Sequence, residues 1–244
     1  MLVLLPPSET KSTGGAGAPL DLGSLSHPEL NPTRRTVVDA LTALAADVPA
    51  SLSVLGLSER QAEEVERNAA LRTAPTAPAL ERYTGVLYDA LDVGSLTPAE
   101  RKQADDRLAV ASALFGLVRG VDRIPAYRLS GGGSLPGLGT LRSVWRPVLE
   151  PVLAVDELVV DLRSGAYAAL AKVPGAVAVR VLSEDAAGHR KVVSHHNKAH
   201  KGALARALAQ APDEPSGVDD VLAVAEAAGM RVEREGERAL CVVV

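Results

Sequence analysis

Between Ser194 and Gly202 the chain reads Ser-His-His-Asn-Lys-Ala-His-Lys-Gly, gathering three of its five histidines and two of its six lysines into nine residues. No carboxylate occurs from Ala186 to Pro212, although the whole chain has a formal net charge of −4. A local excess of positive charge on an acidic chain points to an anionic partner. If the run opens a helix, Asn197 is a natural N-cap, and the free N–H groups of the first turn attract phosphate or carboxylate. At 100° per residue Lys198, Lys201, Gly202 and Ala205 share one face, where two small residues leave room for a ligand, while Leu204 and Leu208 turn toward a core. His196 and His200 have i,i+4 spacing but point nearly opposite to Lys198. The acid of a zinc-protease helix is missing and no Cys cluster accompanies them, so neither a metal site nor a cofactor is expected. Iron held by His195, His196 and His200 is the remaining metal alternative.

A second dense stretch runs from Ser112 to Arg128. Here an apolar run ends and emits Arg119, Asp122, Tyr127 and Arg128 within ten residues. Arginines suit bidentate recognition of phosphate or carboxylate, and an Asp can hold one in place. The competing explanation is a structural Arg–Asp pair that pins a turn. Phe115 and Trp145 read as core anchors, whereas Tyr88, Tyr127 and Tyr167 carry a polar tip and are better site candidates. Ser130–Gly139 holds five glycines in ten residues; it offers backbone N–H groups to an anion or serves as a mobile connection. Nucleophile elbow, Walker loop and dinucleotide fingerprint are all absent.

These residues need a scaffold, and its elements alternate. Leu2–Leu5 reads as a buried strand stopped by two prolines, and residues 8–33 as a long loop. Helices are expected over Thr36–Ala46, over Ser58–Leu71 with Ser58 as N-cap, over Tyr83–Leu91, and from Thr97, where Pro98 and Glu100 complete a capping-box pattern. Leu108–Val118 is a strand, and Arg119 to Asp122 a turn. A helix over Leu141–Leu153 follows. Leu158–Leu162, Val177–Leu182 and Lys191–Ser194 are strand-like, Asn197–Gln210 and Val218–Ala228 helical, and Met230–Glu235 and Arg238–Val244 form final strands. The class is therefore α/β, with α+β as the alternative, built as one domain over residues 1–244 on a mixed sheet.

Composition narrows the function classes. With 47% hydrophobic and 23% charged residues the chain is an ordinary globular protein. It lacks a signal-like N-terminus and any apolar run long enough for a membrane span, so the expectation is cytoplasmic with no membrane partner. The single Cys241 cannot form an internal disulfide. Residues 123–212 carry twelve Lys and Arg against six Asp and Glu, and the rest carries fourteen against twenty-four.

Six segments, in order, resemble the YaaA family, also called UPF0246 or the peroxide stress protein family. They are Leu2–Lys11, Tyr83–Tyr88, Ser112–Arg119 with Asp122 and Tyr127–Leu129, Leu141–Trp145, Ser164–Tyr167, and Ser194–Gly202. The resemblance implies a single-domain mixed α/β fold, a helix-hairpin-helix-like element at about residues 51–72, and a positively charged cleft. It also implies a role in peroxide stress, limitation of free intracellular iron, and DNA binding that spares DNA from oxidation. Lys198, Lys201 and Gly202 match the family pattern; His195, His196 and His200 do not. Some members carry the first-loop lysine where Glu9 stands here, which makes Lys11 its stand-in. The usual Arg-Pro-Leu-Asp turn reads Arg119-Gly-Val-Asp122. Two functions follow. In one, a basic cleft binds nucleic acid through Arg119, Arg128, Asn197, Lys198 and Lys201, with Tyr88, Tyr127 and Tyr167 as stacking surfaces. In the other, an enzyme acts on a nucleotide or other phosphorylated small molecule, with Lys11, Ser164, Tyr167 or Lys198 nearest the chemistry.

Overall fold

The computed structural model describes residues 1–185, 188–192 and 197–244. The chain opens with β1 (Leu2–Leu5), fully buried, and Pro6-Pro7 ends it because proline cannot donate to a ladder. After a long loop come α1 (Asn31–Leu44), α2 (Val48–Leu55) and α3 (Ala62–Ala69). The helix expected from Ser58 begins instead as a 3-10 turn at Glu59–Gln61, with Gln61 Oε1 accepting from the Ser58 N–H at 3.1 Å. A short bridge strand, β2 (Ala77–Pro78), leads into α4 (Ala79–Arg82), and α5 (Val86–Leu91) follows only after Gly85, whose φ of 93° interrupts the helix expected from Tyr83. Helix α6 (Pro98–Arg107) carries the foreseen box, with Glu100 Oε2 accepting from the Thr97 N–H at 2.8 Å and Thr97 Oγ1 from the Glu100 N–H at 3.3 Å.

The apolar run from Leu108 is not one strand but a hairpin of β3 (Leu108–Ser112) and β4 (Gly116–Arg119). Gly116 explains the reversal. Its φ is +74°, and a Cβ there would lie 2.6 Å from the Trp145 ring, so the turn and the core anchor need the same glycine. The minor strand β5 (Arg123–Ile124) pairs with β2, and the glycine-rich segment folds into its own ribbon, β6 (Ser134–Leu135) on β7 (Gly139–Thr140). Then come α7 (Leu141–Val152), β8 (Val159–Asp161), α8 (Gly165–Ala168), β9 (Val177–Glu184) and β10 (Arg190–Val192). Residues 193 and 194 of the strand expected over Lys191–Ser194 lie outside the described residues, as do His195 and His196. The chain ends with α9 (Asn197–Gln210), α10 (Val218–Ala227), β11 (Val232–Gly236) and β12 (Ala239–Val243).

The main sheet is mixed, as expected for α/β, with strand order β11-β12-β9-β8-β1-β3-β4 and β10 beside β9. Strands β3, β1, β8, β9 and β12 run parallel; β4, β10 and β11 are antiparallel. From β1 the chain first builds outward to β3, then returns to β8 on the other flank of β1. The connections leaving β1 and β8 therefore diverge, and a crevice opens at their C-terminal ends. Ligands of open α/β sheets bind at such a switch point.

Candidate functional site

Two abutting cavities occupy that crevice. One, of about 230 Å³, is lined by Pro6, Pro7, Glu9, Leu87, Leu162, Ser164, Tyr167, Asn197, Lys198 and Lys201. The other, of about 280 Å³, shares Pro6, Pro7, Glu9, Leu87 and Lys198 and extends over Thr10, Gly85 and Tyr88. The first cavity thus collects the loop after β1, the loop after β8 and the start of α9. A larger hollow of about 330 Å³ lies against α3 but is walled by Glu63, Glu66 and Arg67, and Arg67 is already spent on Glu63 and Glu64. Convergence of unspent polar groups, rather than volume, favours the switch-point crevice.

Lys201 is nine-tenths buried, and its ammonium donates to the main-chain oxygens of Leu162 at 3.0 Å and Arg163 at 3.4 Å. Two protons are thereby used, and the third remains for the cavity that Lys201 lines. Burial lowers its pKa, opposed in part by the Asp161 carboxylate. Arg163, unforeseen from sequence, holds this floor in place. Its guanidinium grips Asp161 in bidentate fashion at 2.9 and 2.8 Å and also reaches the Ala171 carbonyl at 3.1 Å. The Asp-Leu-Arg spacing at the end of β8 was its only sequence signal. Lys198 is exposed at the mouth of both cavities.

Gly202 has a different duty from the one its helical face suggested. The space beside it is filled by α5: a Cβ at Gly202 would overlap the Leu87 carbonyl oxygen and stand 2.9 Å from Ala90 Cβ. Close packing of α9 on α5 places Leu87 in the cavity wall, and no ligand space remains there. Asn197 is the first residue of α9 and lines the cavity; residue 196 before it is outside the described set.

The Ser112–Arg128 stretch divides. Asp122 is buried, and its carboxylate accepts from the N–H and hydroxyl of Ser26, both at 2.9 Å, and from the Arg119 N–H at 2.8 Å. Arg119 gives its guanidinium to the Asp106 carbonyl at 2.9 Å. Both pin the turn after β4, and neither lines the crevice. Arg128 goes elsewhere: its guanidinium meets the Glu9 carboxylate at 2.9 Å, and Asn68 of α3 clasps its main chain by two hydrogen bonds of 2.8 and 2.9 Å.

The tyrosines are covered rather than displayed. Tyr127 is 1% exposed, and Tyr88 and Tyr167 are each 7% exposed, so none offers a free stacking face. Tyr88 donates to the Pro6 carbonyl at 2.9 Å and stacks on Tyr83 with centroids 5.5 Å apart. Tyr167 accepts from the Gly131 N–H at 3.1 Å, so this donor of the glycine-rich segment serves the fold. Ser112 Oγ takes N–H bonds from Leu114 and Phe115, which leaves its proton for Tyr127, whose hydroxyl then donates to Tyr83 at 2.9 Å. Burial raises all four phenols, Tyr83 to about 12.

Lys11 sits beside this cluster, half-buried. Its Nζ donates to the Ser8 and Glu9 carbonyls at 2.9 and 3.3 Å and lies 4.2 Å from the Tyr127 ring centroid. Burial pulls its pKa down to about 7; the Glu9 carboxylate opposes that fall and Arg128 reinforces it. A depressed lysine makes stability pH-dependent with a fixed sign. Between about pH 7 and 10.5 the unfolded chain binds a proton that the folded chain does not, so wild type gains stability as pH rises through that window. Lys11→Met lacks this titration. The difference in melting temperature between wild type and Lys11→Met is expected to shift in favour of wild type from pH 7 to pH 10. A difference that stays flat would show an ordinary surface lysine.

Of the residues singled out in sequence, Tyr88, Ser164, Tyr167, Asn197, Lys198 and Lys201 line the crevice, with Lys11, Tyr127 and Arg128 behind its β1-side loop. Arg119, Asp122 and Gly202 belong to the frame. Among the described residues no group of three or more His, Cys, Asp and Glu is placed to hold a metal, and no helix is long and apolar enough to cross a membrane.

An α/β protein with a lysine-lined crevice at its topological switch point is the class these features define. Residues 1–233 match the family model described as peroxide stress protein YaaA. A UPF0246 protein of Corynebacterium efficiens is 54% identical over 244 residues, covering 98% of this chain and 97% of its own length. One from Streptomyces coelicolor is 49% identical over 96% of this chain and 93% of its own length, and one from Streptococcus pneumoniae 29% identical over 85% of each. The chain belongs to the YaaA (UPF0246) peroxide stress protein family.

Proposed function

We propose that this chain is a cytoplasmic peroxide-defence protein whose working site is the crevice between β1 and β8, and that the crevice takes one phosphate-bearing small molecule of nucleotide size. One observation carries the reading: Lys198, Lys201 and the first turn of α9 converge on a single half-closed cavity. Lys201 donates to two main-chain oxygens, which leaves its third proton for the cavity, Lys198 is exposed at the mouth, and Asn197, the first residue of the fourteen-residue α9, lines the same cavity. The two abutting cavities together reach the size of small-molecule sites, about 300–1,000 Å³. A phosphate at the floor leaves the second cavity, over Thr10 and Gly85, for the rest of the ligand.

Nucleic acid binding is the second reading, favoured by the exposure of Lys198 beside the Glu9–Arg128 pair. Against it, the α2–α3 hairpin expected to meet DNA carries Glu59, Glu63, Glu64 and Glu66, which repel a phosphate backbone.

Thermal shift separates the two. A mononucleotide or sugar phosphate at 100 times its Kd is expected to add about 2.7 kcal/mol, or roughly 5–10 °C for a chain of this size. Lys198→Ala should weaken that ligand about 10-fold or more, the worth of a charge-assisted hydrogen bond. If no phosphorylated small molecule shifts melting, while a DNA strand binds with affinity falling steeply in salt, the nucleic acid reading replaces this one.

A further inference from the structure

Lysines mark one end of the crevice, and hydroxyls line the other. Ser8 and Thr10, on the loop after β1, and Thr84, between α4 and α5, meet in the wall of the second cavity. Thr84 Oγ1 donates to Thr10 Oγ1 at 3.1 Å, and Thr10 Oγ1 lies 3.1 Å from Ser8 Oγ. The Thr10 N–H also donates to Ser8 Oγ, at 3.2 Å. Three hydroxyl protons thus make two bonds within the cluster, and one proton is left over whichever way the Ser8–Thr10 bond runs. Lone pairs are left as well, because among the described residues no group donates to Thr84 Oγ1. A cluster that can both donate and accept matches a ligand hydroxyl, which does the same. Gly85 keeps the space beside it clear: a Cβ there would stand 3.5 Å from both Ser8 Oγ and Thr10 Oγ1. Glu9 lines both cavities. Its Oε2 meets the Arg128 guanidinium at 2.9 Å, which leaves Oε1 to accept from a ligand.

We propose that the second cavity is a sugar subsite, in which Ser8, Thr10, Thr84 and Glu9 bind the hydroxyls of a sugar phosphate whose phosphate lies at Lys198 and Lys201. This rests on the phosphate reading of the crevice and names the class of its ligand. Lys198 lines both cavities, so the two parts of one ligand meet beside it. A second phosphate does not suit the hydroxyl end. It would face the Glu9 carboxylate and a cluster with a single spare proton, and Lys198 is the one cation among the described residues that line this cavity. Neutral hydroxyls meet no such repulsion and donate to Glu9. Pro6, Pro7 and Leu87, common to both cavities, give the C–H faces of the sugar an apolar wall. Two sources offer this chemistry: a free sugar phosphate and a ribonucleotide with an open 2′,3′-diol.

The test is calorimetric titration of the full chain with ribose 5-phosphate and with butyl phosphate, which has the phosphate but no hydroxyls. Ribose 5-phosphate is expected to bind about 10-fold tighter or more, the worth of one or two neutral hydrogen bonds. Thr84→Val, which keeps the side chain's shape and removes its hydroxyl, should bring that ratio close to one, and Thr84→Ser should restore it. Lys198→Ala should weaken both probes alike and leave the ratio standing. Ser8→Ala, on the opposite side of the cluster, should lower the ratio as well and stands in for Thr84→Val if that chain does not fold. Equal binding of the two probes by wild type overturns the sugar subsite and leaves the phosphate site intact. Failure of both probes to bind overturns the phosphate reading and the subsite with it. A ratio unchanged in Thr84→Val and Ser8→Ala overturns the assignment to this cluster. Adenosine 5′-monophosphate then assigns the source: affinity at least 10-fold above ribose 5-phosphate marks a nucleotide, and equal or lower affinity marks a free sugar phosphate.

Discussion

Gly202→Ala is expected to lower the melting temperature by about 6–12 °C, although the substitution replaces a mid-helix glycine with the best helix former. Helix propensity alone predicts a gain of about 1 kcal/mol. Packing decides otherwise. At Gly202 an added Cβ overlaps the Leu87 carbonyl oxygen and meets Ala90 Cβ at 2.9 Å, and both contacts are with α5 itself rather than with the far end of a flexible side chain. Helix α9 must therefore move off α5, at a net cost of about 3 kcal/mol. The shift also carries Leu87 out of the wall shared by the two cavities, so loss of ligand-induced stabilisation should accompany the loss of stability. Gly217→Ala, at the N-cap of α10, controls for a methyl added in open space, because a Cβ there meets nothing within 4 Å; it is expected to lose only the modest N-cap preference of glycine over alanine. If Gly202→Ala melts within a degree of wild type, close packing is not what this glycine serves.

The same residue shows where a sequence stops being readable. Helical spacing placed Lys198, Lys201 and Gly202 on one face, and the two lysines do share a cavity. Spacing is silent on whether α5 or a ligand covers that face, because α5 lies more than a hundred residues away in the chain. Local signals were legible: the Thr97–Glu100 capping box and the span Asn197–Gln210 need only near neighbours. The Leu108–Val118 run misled because its reversal at Gly116 answers to Trp145, a remote residue. Arg119 and Arg128 looked equivalent in sequence, yet Asp122 with Ser26 holds one end of the turn while Asn68 carries the other toward Glu9. The tyrosines read as site residues because each has a polar tip; that tip is satisfied inside the fold, and the rings serve as a floor. Which lysine is chemically unusual depends on burial, and burial is a property of the assembled chain.

Arg82→Met is expected to cost about 3–5 kcal/mol and to change Lys11 along with the fold. The Arg82 guanidinium is fully buried and has no carboxylate partner among the described residues; it donates to the carbonyls of Ile124 at 3.0 Å, Gly14 at 2.8 Å and Pro75 at 3.2 Å, and to that of Ser12. Four main-chain oxygens from three segments are thus satisfied by one side chain, and its removal leaves them buried and unpaired. Methionine fills the volume but supplies no donor. Lysine supplies a point charge that cannot span the fork, so Arg82→Lys should rescue little of the loss. Two of the four acceptors, Ser12 and Gly14, follow Lys11 directly, and the Ser12 N–H returns a bond to the Arg82 carbonyl at 2.9 Å. Without this clamp the loop gains solvent, and the pKa of Lys11 should climb from about 7 toward the ordinary lysine range. Melting curves read the first effect, with a fall of about 6–20 °C. The pH midpoint of Lys11 modification, followed by peptide mapping below the melting transition, reads the second. A variant that loses stability while that midpoint stays near pH 7 would limit Arg82 to holding the fold. A midpoint that rises by more than one pH unit would make it the residue that keeps the Lys11 amine neutral.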